Sequence, residues 1–184
     1  GAIALWLFWQ RHDNWSLPGI YGAVLVAAIV DGVSVRWRQQ KSVFNELVTF
    51  AAVCLAAPLA YVATVGTLST SVIALWLLNT LFFSSAIFTV KLRKVREASI
   101  TSGLIFHTIA IVLVVTLWQL HWLAPITAAT LGISLIKFGF ILWQKDWYCN
   151  TKIQNVAMLE TVASLLFLLT VALSLLPPYL TVLI

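Results

Sequence analysis

The sequence predicts an all-α integral membrane protein, a helical bundle of six full transmembrane helices and the end of a further, truncated N-terminal helix. Hydrophobic residues make up 61% of the 184 residues and charged residues only 9%, against about 45–50% and about 25% in soluble domains. Six apolar runs approach or exceed the ~20 residues that a membrane-spanning helix needs. Lipid forbids exposed strand edges, so such runs form helices. This composition excludes a soluble globular enzyme, a disordered chain and a soluble coiled coil.

The first element is an apolar segment at residues 1–9. It is less than half as long as the ~20 residues that cross a bilayer. No basic stretch precedes it, so it does not have the pattern of a secretory signal peptide. We interpret it as the end of a truncated helix, and we expect an N-terminal part of the protein to be missing from this chain.

The six full spans follow in one predicted domain, residues 1–184, because no low-complexity linker divides the chain. Pro18 and Pro125 fall in first turns, where a missing N–H costs nothing. Pro58 lies inside the second run and is expected to kink it. The predicted spans are residues 17–35, 44–65, 71–90, 100–118, 123–143 and 155–176.

Small residues recur at four-residue spacing within three of the spans. Such stripes let helix backbones approach closely in a membrane, so they predict the tight contacts of the bundle. The stripes are Gly19–Ala23–Ala27, Ala52–Ala56–Ala60 and Ala124–Ala128–Gly132.

The basic residues favour one side of the membrane. Nine Lys or Arg lie in the connections at residues 36–41, 91–96 and 145–152, whereas the alternate connections contain Arg11 alone. By the positive-inside rule, the basic connections are cytoplasmic and the C-terminus lies on the opposite side. Topology therefore explains the net charge of +5, and no nucleic-acid partner is expected.

Ionisable groups inside the spans are the functional candidates, because a charge in lipid is expensive. Lys137 and Glu160 lie at almost equal distances from the middle of the last connection. At about 1.5 Å per residue, their shared level is about 8–12 Å inside the basic interface. We expect a polar pocket there that opens to the cytoplasmic side. Its candidate ligand-binding residues are Glu160, Lys137, Asp31, Glu46, Asn45, Asn155 and His107.

Two classes of function fit this set. In the first, a small or amphipathic ligand binds or passes, with Glu160 as the central anion and Lys137 as its partner or as an anchor for an anionic headgroup. His107 would relay a proton near neutral pH. In the second, the charges are an internal ion pair, and the chain is a structural subunit or assembly factor of a membrane complex. The bilayer, such a ligand and membrane-complex subunits are thus the candidate partners.

No catalytic motif is visible. Residues 31–36 resemble the opening of the metal-binding motif of CDP-alcohol phosphotransferases, but Thr49 and Val53 stand where its later aspartates would hold the metals. HExxH, P-loop and GxSxG motifs are lacking, and Cys54 and Cys149 form no CxxC pair. We therefore assign no catalytic residue, leave the question of an enzyme open, and predict no metal or cofactor in this chain. An intramembrane lipid- or isoprenoid-modifying enzyme with its metal motif upstream stays open as a third class.

A resemblance to a known family rests on seven short stretches taken together: Asp31–Arg36, Gln40–Ser42, Asn45–Leu47, Leu78–Ser85, Lys91–Lys94, Trp147–Gln154 and Met158–Thr161. Together they resemble the YwiC-like family of bacterial membrane proteins in its cyanobacterial form, over most of the chain. The resemblance implies a polytopic bundle in a bacterial inner membrane, or in a thylakoid for a cyanobacterial protein. It also implies a longer N-terminus. It carries no established activity and no catalytic residue.

Overall fold

A computed structural model describes residues 15–94 and 100–176, and in this part of the chain every regular element is a helix. Each predicted full span has a counterpart whose ends agree within three residues, so the all-α membrane fold is confirmed. The predicted partial helix at residues 1–9 lies outside the described residues. The helical stretches long and apolar enough to cross a membrane are Ser16–Arg36, Val43–Val65, Thr70–Arg93, Thr101–Gln119, Pro125–Trp143 and Ile153–Ser174.

Nine helices make up the described residues, because two of the spans are broken and one connection is itself helical. The helices are α1 (Ser16–Arg36), α2 (Val43–Cys54), α3 (Ala56–Val65), α4 (Thr70–Lys94), α5 (Thr101–Gln119), α6 (Pro125–Ala129), α7 (Gly132–Trp143), α8 (Lys145–Asn150) and α9 (Ile153–Ser174). The chain divides into two compact units, residues 1–80 and 81–184, called unit 1 and unit 2.

Unit 1 is built on the packing of α1 against α2 and α3. Leu17 and Ile20 from the first turns of α1 are buried against Val62 of α3. The first part of α4 is tied to α2 by a hydrogen bond of 2.8 Å from the indole N–H of Trp76 to the carbonyl of Ala51. Burial of these apolar side chains and this hydrogen bond help to hold the unit together.

The break between α2 and α3 follows from a proline. Pro58 has no N–H, so the carbonyl of Cys54 loses the bond it would accept in an unbroken helix. The chain tightens instead at Leu55, whose N–H donates to the carbonyl of Ala52, three residues back, at 3.1 Å. The kink predicted for this span is therefore confirmed, and it begins one turn before the proline.

Unit 2 contains the second part of α4 together with α5 to α9. We call the end of unit 2 that carries the basic connections its basic end. The core at this end joins α4, α7, α8 and α9 through the buried side chains of Leu92, Phe138, Ile141, Tyr148 and Val156. Towards the middle of the unit, the rings of Phe82 and Phe167 stack with centroids 3.8 Å apart. The connection between α7 and α9, which the sequence alone left without structure, is the short helix α8.

Two helices end with a residue in the left-handed region that is not glycine. Arg38 has φ 57° and His121 has φ 59°. After Arg38, the N–H of Gln39 reaches back to the carbonyl of Ser34 at 2.8 Å, which is the closing bond of a Schellman motif. Glycine is the usual residue at such a position because its lack of a Cβ avoids the left-handed penalty.

We expect Arg38→Gly to raise the free energy of unfolding by about 1 kcal/mol, because a side chain in the left-handed region costs roughly 1–2 kcal/mol. His121→Gly should gain a similar amount, since its backbone has nearly the same conformation. Unfolding in mixed micelles measures both changes. Arg38→Ala is the matched control, since it removes the charge but keeps the Cβ. Equal stability of the glycine and alanine variants would contradict the argument.

Candidate functional site

An intramembrane ion pair joins α7 to α9. The Lys137 ammonium donates to Glu160 Oε2 at 2.7 Å and to the hydroxyl oxygen of Ser85 at 3.2 Å. The ring of Phe82 lies below the same ammonium, with its centroid 5.5 Å from Nζ. A carboxylate, a hydroxyl and an aromatic face thus surround the cation, which offsets part of the cost of burying it. The equal depth predicted for Lys137 and Glu160 is confirmed by this contact.

The carboxylate is the more exposed member of the ion pair. Its second oxygen, Glu160 Oε1, accepts from the hydroxyl of Thr89 at 3.1 Å. The Glu160 side chain is 21% exposed, against 3% for Lys137. Thr89, Ser85 and Arg93 are spaced four residues apart on α4, a spacing that places them on one helix face. This face of α4 therefore supplies polar partners from the ion pair up to the basic end.

Arg93 fastens α4 to the connection between α7 and α9. Its guanidinium donates to the backbone carbonyl of Tyr148 at 3.0 Å and to that of Thr151. These carbonyls lie at the end of α8, where helix carbonyls lack partners within the helix and favour a cation. The sequence assigned Arg93 to the positive-inside pattern alone, and the structure gives it a binding contact as well.

Tyr148 on α8 is fully buried, and its hydroxyl lies next to that of Thr89. Burial raises the pKa of Tyr148 above its usual value; the hydroxyl of Thr89 and the charge of Arg93 oppose this, whereas the charge of Glu160 adds to it. The phenol is therefore neutral at physiological pH and keeps its proton. We call Ser85, Thr89, Lys137, Tyr148 and Glu160, which lie around this ion pair, the polar cluster of unit 2.

His107 is anchored next to this cluster. Its Nδ1 lies 2.7 Å from the carbonyl of Gly103, so this nitrogen carries the proton and donates. Its Nε2 lies 3.4 Å from the hydroxyl of Ser134 on α7 and accepts from it. The imidazole also stacks on the ring of Phe138, with centroids 4.1 Å apart. Both ring nitrogens thus have partners, and the proton relay suggested for His107 stays a prediction.

The candidates of unit 1 form a second polar contact. The Asn45 amide donates to Asp31 Oδ1 at 2.9 Å and to the carbonyl of Gln40 at 3.2 Å. The backbone N–H of Asn45 donates to the hydroxyl of Ser42, which caps the start of α2. Asn45 is buried, Glu46 is half-buried and Asp31 is exposed. Asn45 thereby joins the end of α1 to the beginning of α2.

Asn155 is exposed near the start of α9, and its amide donates to the hydroxyl of Thr151 at 2.8 Å. The seven predicted candidates are thus divided, with three in unit 1 and four in unit 2. Contacts described within unit 2 bring Lys137 and Glu160 together and place His107 close by. A single pocket that all seven residues line stays a prediction.

Five residues of this region are not among the candidates predicted from the sequence. Ser85, Thr89 and Ser134 are buried hydroxyls that contact the predicted candidates, and Arg93 and Tyr148 lie at its basic end. A pattern for part of this set was present, because Ser85, Thr89 and Arg93 recur every four residues. The spacing does not by itself predict a site, since hydroxyls in membrane helices commonly bond their own backbone.

Two grooves in unit 2 lie at the end away from the basic connections. One, of about 330 Å³, runs between Trp118 of α5 and Pro125 of α6. The other, of about 570 Å³, lies between Ile126 of α6 and Thr170 and Ser174 of α9. Neither is lined by residues of the polar cluster, so the predicted polar pocket stays a prediction. Among residues 15–94 and 100–176, no group of three or more His, Cys, Asp or Glu could hold a metal.

Six apolar helical spans and a buried ion pair between two of them define a polytopic α-helical membrane protein. Residues 1–61 match the model of the YwiC-like protein family, a bacterial membrane protein family. The predicted resemblance is confirmed over this third of the chain, and the later stretches stay a prediction. The chain matches no curated protein and no solved structure.

Proposed function

We propose that this membrane protein binds or passes a small or amphipathic ligand at the polar cluster of unit 2. The observation that supports this function most directly is an ion pair inside the spans whose carboxylate is partly open while its ammonium is buried. Charged side chains within spans are costly, and they usually line a ligand or ion pathway. Glu160 is the group that contacts the ligand first, and Lys137 holds the Glu160 carboxylate in place.

We further infer the sidedness of this site. Lys145, Lys152 and Arg93 lie at the end of unit 2 that contains the polar cluster. Basic connections of this kind are retained on the cytoplasmic side. The polar cluster therefore opens towards the cytoplasm, and the C-terminus lies on the opposite side of the membrane.

Native mass spectrometry of the full-length protein from mild detergent tests the proposed ligand. We expect a small molecule bound to the wild type and lost from Glu160→Gln, which keeps the size of the side chain but removes its charge. Asp146→Asn is the matched control, because it removes an exposed acidic group on α8 outside the cluster. This control variant should retain the ligand. A wild type that carries no small molecule would contradict the proposal.

A second function, a structural subunit of a larger membrane complex, is favoured by a different observation. The contacts of Lys137 are all made within the chain, so the ion pair also fits a structural role in which it joins helices without a ligand. Stoichiometric co-purification of another polypeptide, unchanged by Glu160→Gln, is the result that this alternative predicts.

A further inference from the structure

The larger groove of unit 2, between α6, α7 and α9, is a cavity that the polar cluster does not use. Its volume of about 570 Å³ lies within the range of about 300–1,000 Å³ that is usual for small-molecule sites. Its lining is apolar apart from the hydroxyls of Thr130, Thr170 and Ser174. Ile126 lies in the first turn of α6 and Ser174 is the last residue of α9. The groove therefore begins at the end of unit 2 away from the basic connections and leads inwards.

The hydroxyls of this groove offer acceptors rather than donors. Thr130, Thr170 and Ser174 each donate to a backbone carbonyl three or four residues earlier, at 2.6 to 2.9 Å. A hydroxyl has one proton and two lone pairs, so acceptor capacity is what remains for a ligand. Ser174 uses one of its lone pairs to accept from the hydroxyl of Thr127, 2.9 Å away. Thr130 and Thr170 are therefore the freer acceptors.

The break between α6 and α7 adds a backbone acceptor to the same groove. In an unbroken helix, the N–H of Ile133 would donate to the carbonyl of Ala129, four residues back. It donates instead to the carbonyl of Thr130 at 3.1 Å, and the Ala129 carbonyl receives no backbone hydrogen bond in the described part of the chain. Ala129 belongs to the lining of the groove. An unpaired carbonyl inside a span is costly, so a donor bound in the groove would stabilise it.

We infer that this groove binds a neutral amphipathic alcohol, a molecule with an apolar chain and a hydroxyl-bearing head. The hydroxyls of the head donate to Thr130, Thr170 and the Ala129 carbonyl, and the chain lies along the apolar lining. None of the described residues that line the groove is charged, so a charged head would be buried without a counter-ion, which is costly. This site lies outside the polar cluster and goes beyond the proposed function.

Binding to the full-length protein in mild detergent tests this class of ligand. Native mass spectrometry compares monooleoylglycerol, which has two free hydroxyls, with methyl oleate, which has the same acyl chain and ester but no hydroxyl. We expect monooleoylglycerol to bind tenfold more tightly or better, because each hydrogen bond that a hydroxyl donates contributes about fivefold. Equal binding of the two probes, or binding of neither, overturns the inference.

Thr170→Val tests the position of the site. It keeps the shape of the side chain but removes the acceptor, so it should weaken binding of monooleoylglycerol about fivefold and leave methyl oleate unchanged. The variant should fold, because the hydroxyl it removes bonds only its own helix. Thr116→Val on α5 is the matched control, since that hydroxyl also bonds its own helix but lines neither groove. Undiminished binding by a folded Thr170→Val protein overturns the inference.

Two further variants keep the outcome decisive. If Thr170→Val did not fold, Thr130→Val would make the same test from α6, with the same expected loss. Glu160→Gln distinguishes this groove from the polar cluster. We expect monooleoylglycerol to be released by Thr170→Val and not by Glu160→Gln, whereas release by Glu160→Gln would place the alcohol at the polar cluster and overturn the inference.

Discussion

Lys137→Met is expected to lower the free energy of unfolding by about 3 kcal/mol. The substitution removes the cation but keeps an unbranched side chain of similar length, so it tests charge more than volume. It leaves the Glu160 carboxylate inside a span with the Thr89 hydroxyl as its remaining partner. Breaking a buried ion pair from one side typically costs 3–5 kcal/mol. We choose the lower end because the Glu160 side chain is 21% exposed.

A double variant separates the ion pair from simple packing. Lys137→Met combined with Glu160→Gln leaves no uncompensated charge, so most of the lost stability should return. The coupling between the two sites, from unfolding in mixed micelles, should reach about 2 kcal/mol. Lys152→Met, on an exposed lysine, is the control and should stay within about 0.5 kcal/mol of the wild type. Additive losses at the two sites would show that the pair does not act as a unit.

The positions of the helices could be predicted from the sequence because lipid limits what an apolar run can do. A span needs a certain length and cannot leave its backbone unpaired. Pro58 also predicted the kink, since its missing N–H leaves the carbonyl one turn earlier without a hydrogen-bond donor. The break between α6 and α7 could not be predicted in the same way, because no proline lies inside it. Helix α8 was missed because six residues in a polar connection carry no periodic pattern.

The ion pair could be predicted from depth alone, but its hydroxyl partners could not. A threonine in a membrane helix can bond its own backbone or a neighbouring helix, and the sequence looks the same in both cases. Thr80, for example, donates to the carbonyl of Trp76 at 2.8 Å. Thr89 lies 3.0 Å from the carbonyl of Ala86 in its own helix and also reaches Glu160 across helices. Only the packing of α4 against α9 decides between these outcomes, and it depends on contacts distant in sequence.

Small residues show the same distinction between a pattern and a contact. Gly19 and Gly132 belong to the predicted packing stripes, yet a Cβ at either position would meet nothing within 4 Å. The close approach expected there is therefore wrong within this part of the chain. Gly103, which belongs to no stripe, is the tight position. A stripe of small residues shows that a helix can approach a neighbour closely. Where the contact is tight depends on whether a large side chain of the neighbouring helix lies opposite the small residue.

Gly103→Ala is accordingly expected to destabilise the protein by about 1–3 kcal/mol, the usual cost of overpacking a core. A Cβ at this position would lie 2.9 Å from two ring atoms of Phe138, closer than any ordinary carbon contact. The ring has little room to retreat, because it stacks on His107 at 4.1 Å. Any shift would also disturb the hydrogen bond of 2.7 Å that holds His107 to the Gly103 carbonyl.

Gly19→Ala provides the opposite case in a comparable helix. With nothing within 4 Å of its Cβ, the new methyl group should raise stability by up to about 1 kcal/mol, the difference in helix propensity between the two residues. Unfolding of both variants in the same micelles therefore should give changes of opposite sign. Phe138→Leu added to Gly103→Ala should recover part of the loss, because the smaller side chain makes room for the Cβ. A loss that Phe138→Leu does not reduce would mean that the backbone at Gly103, rather than contact with the ring, requires a glycine there.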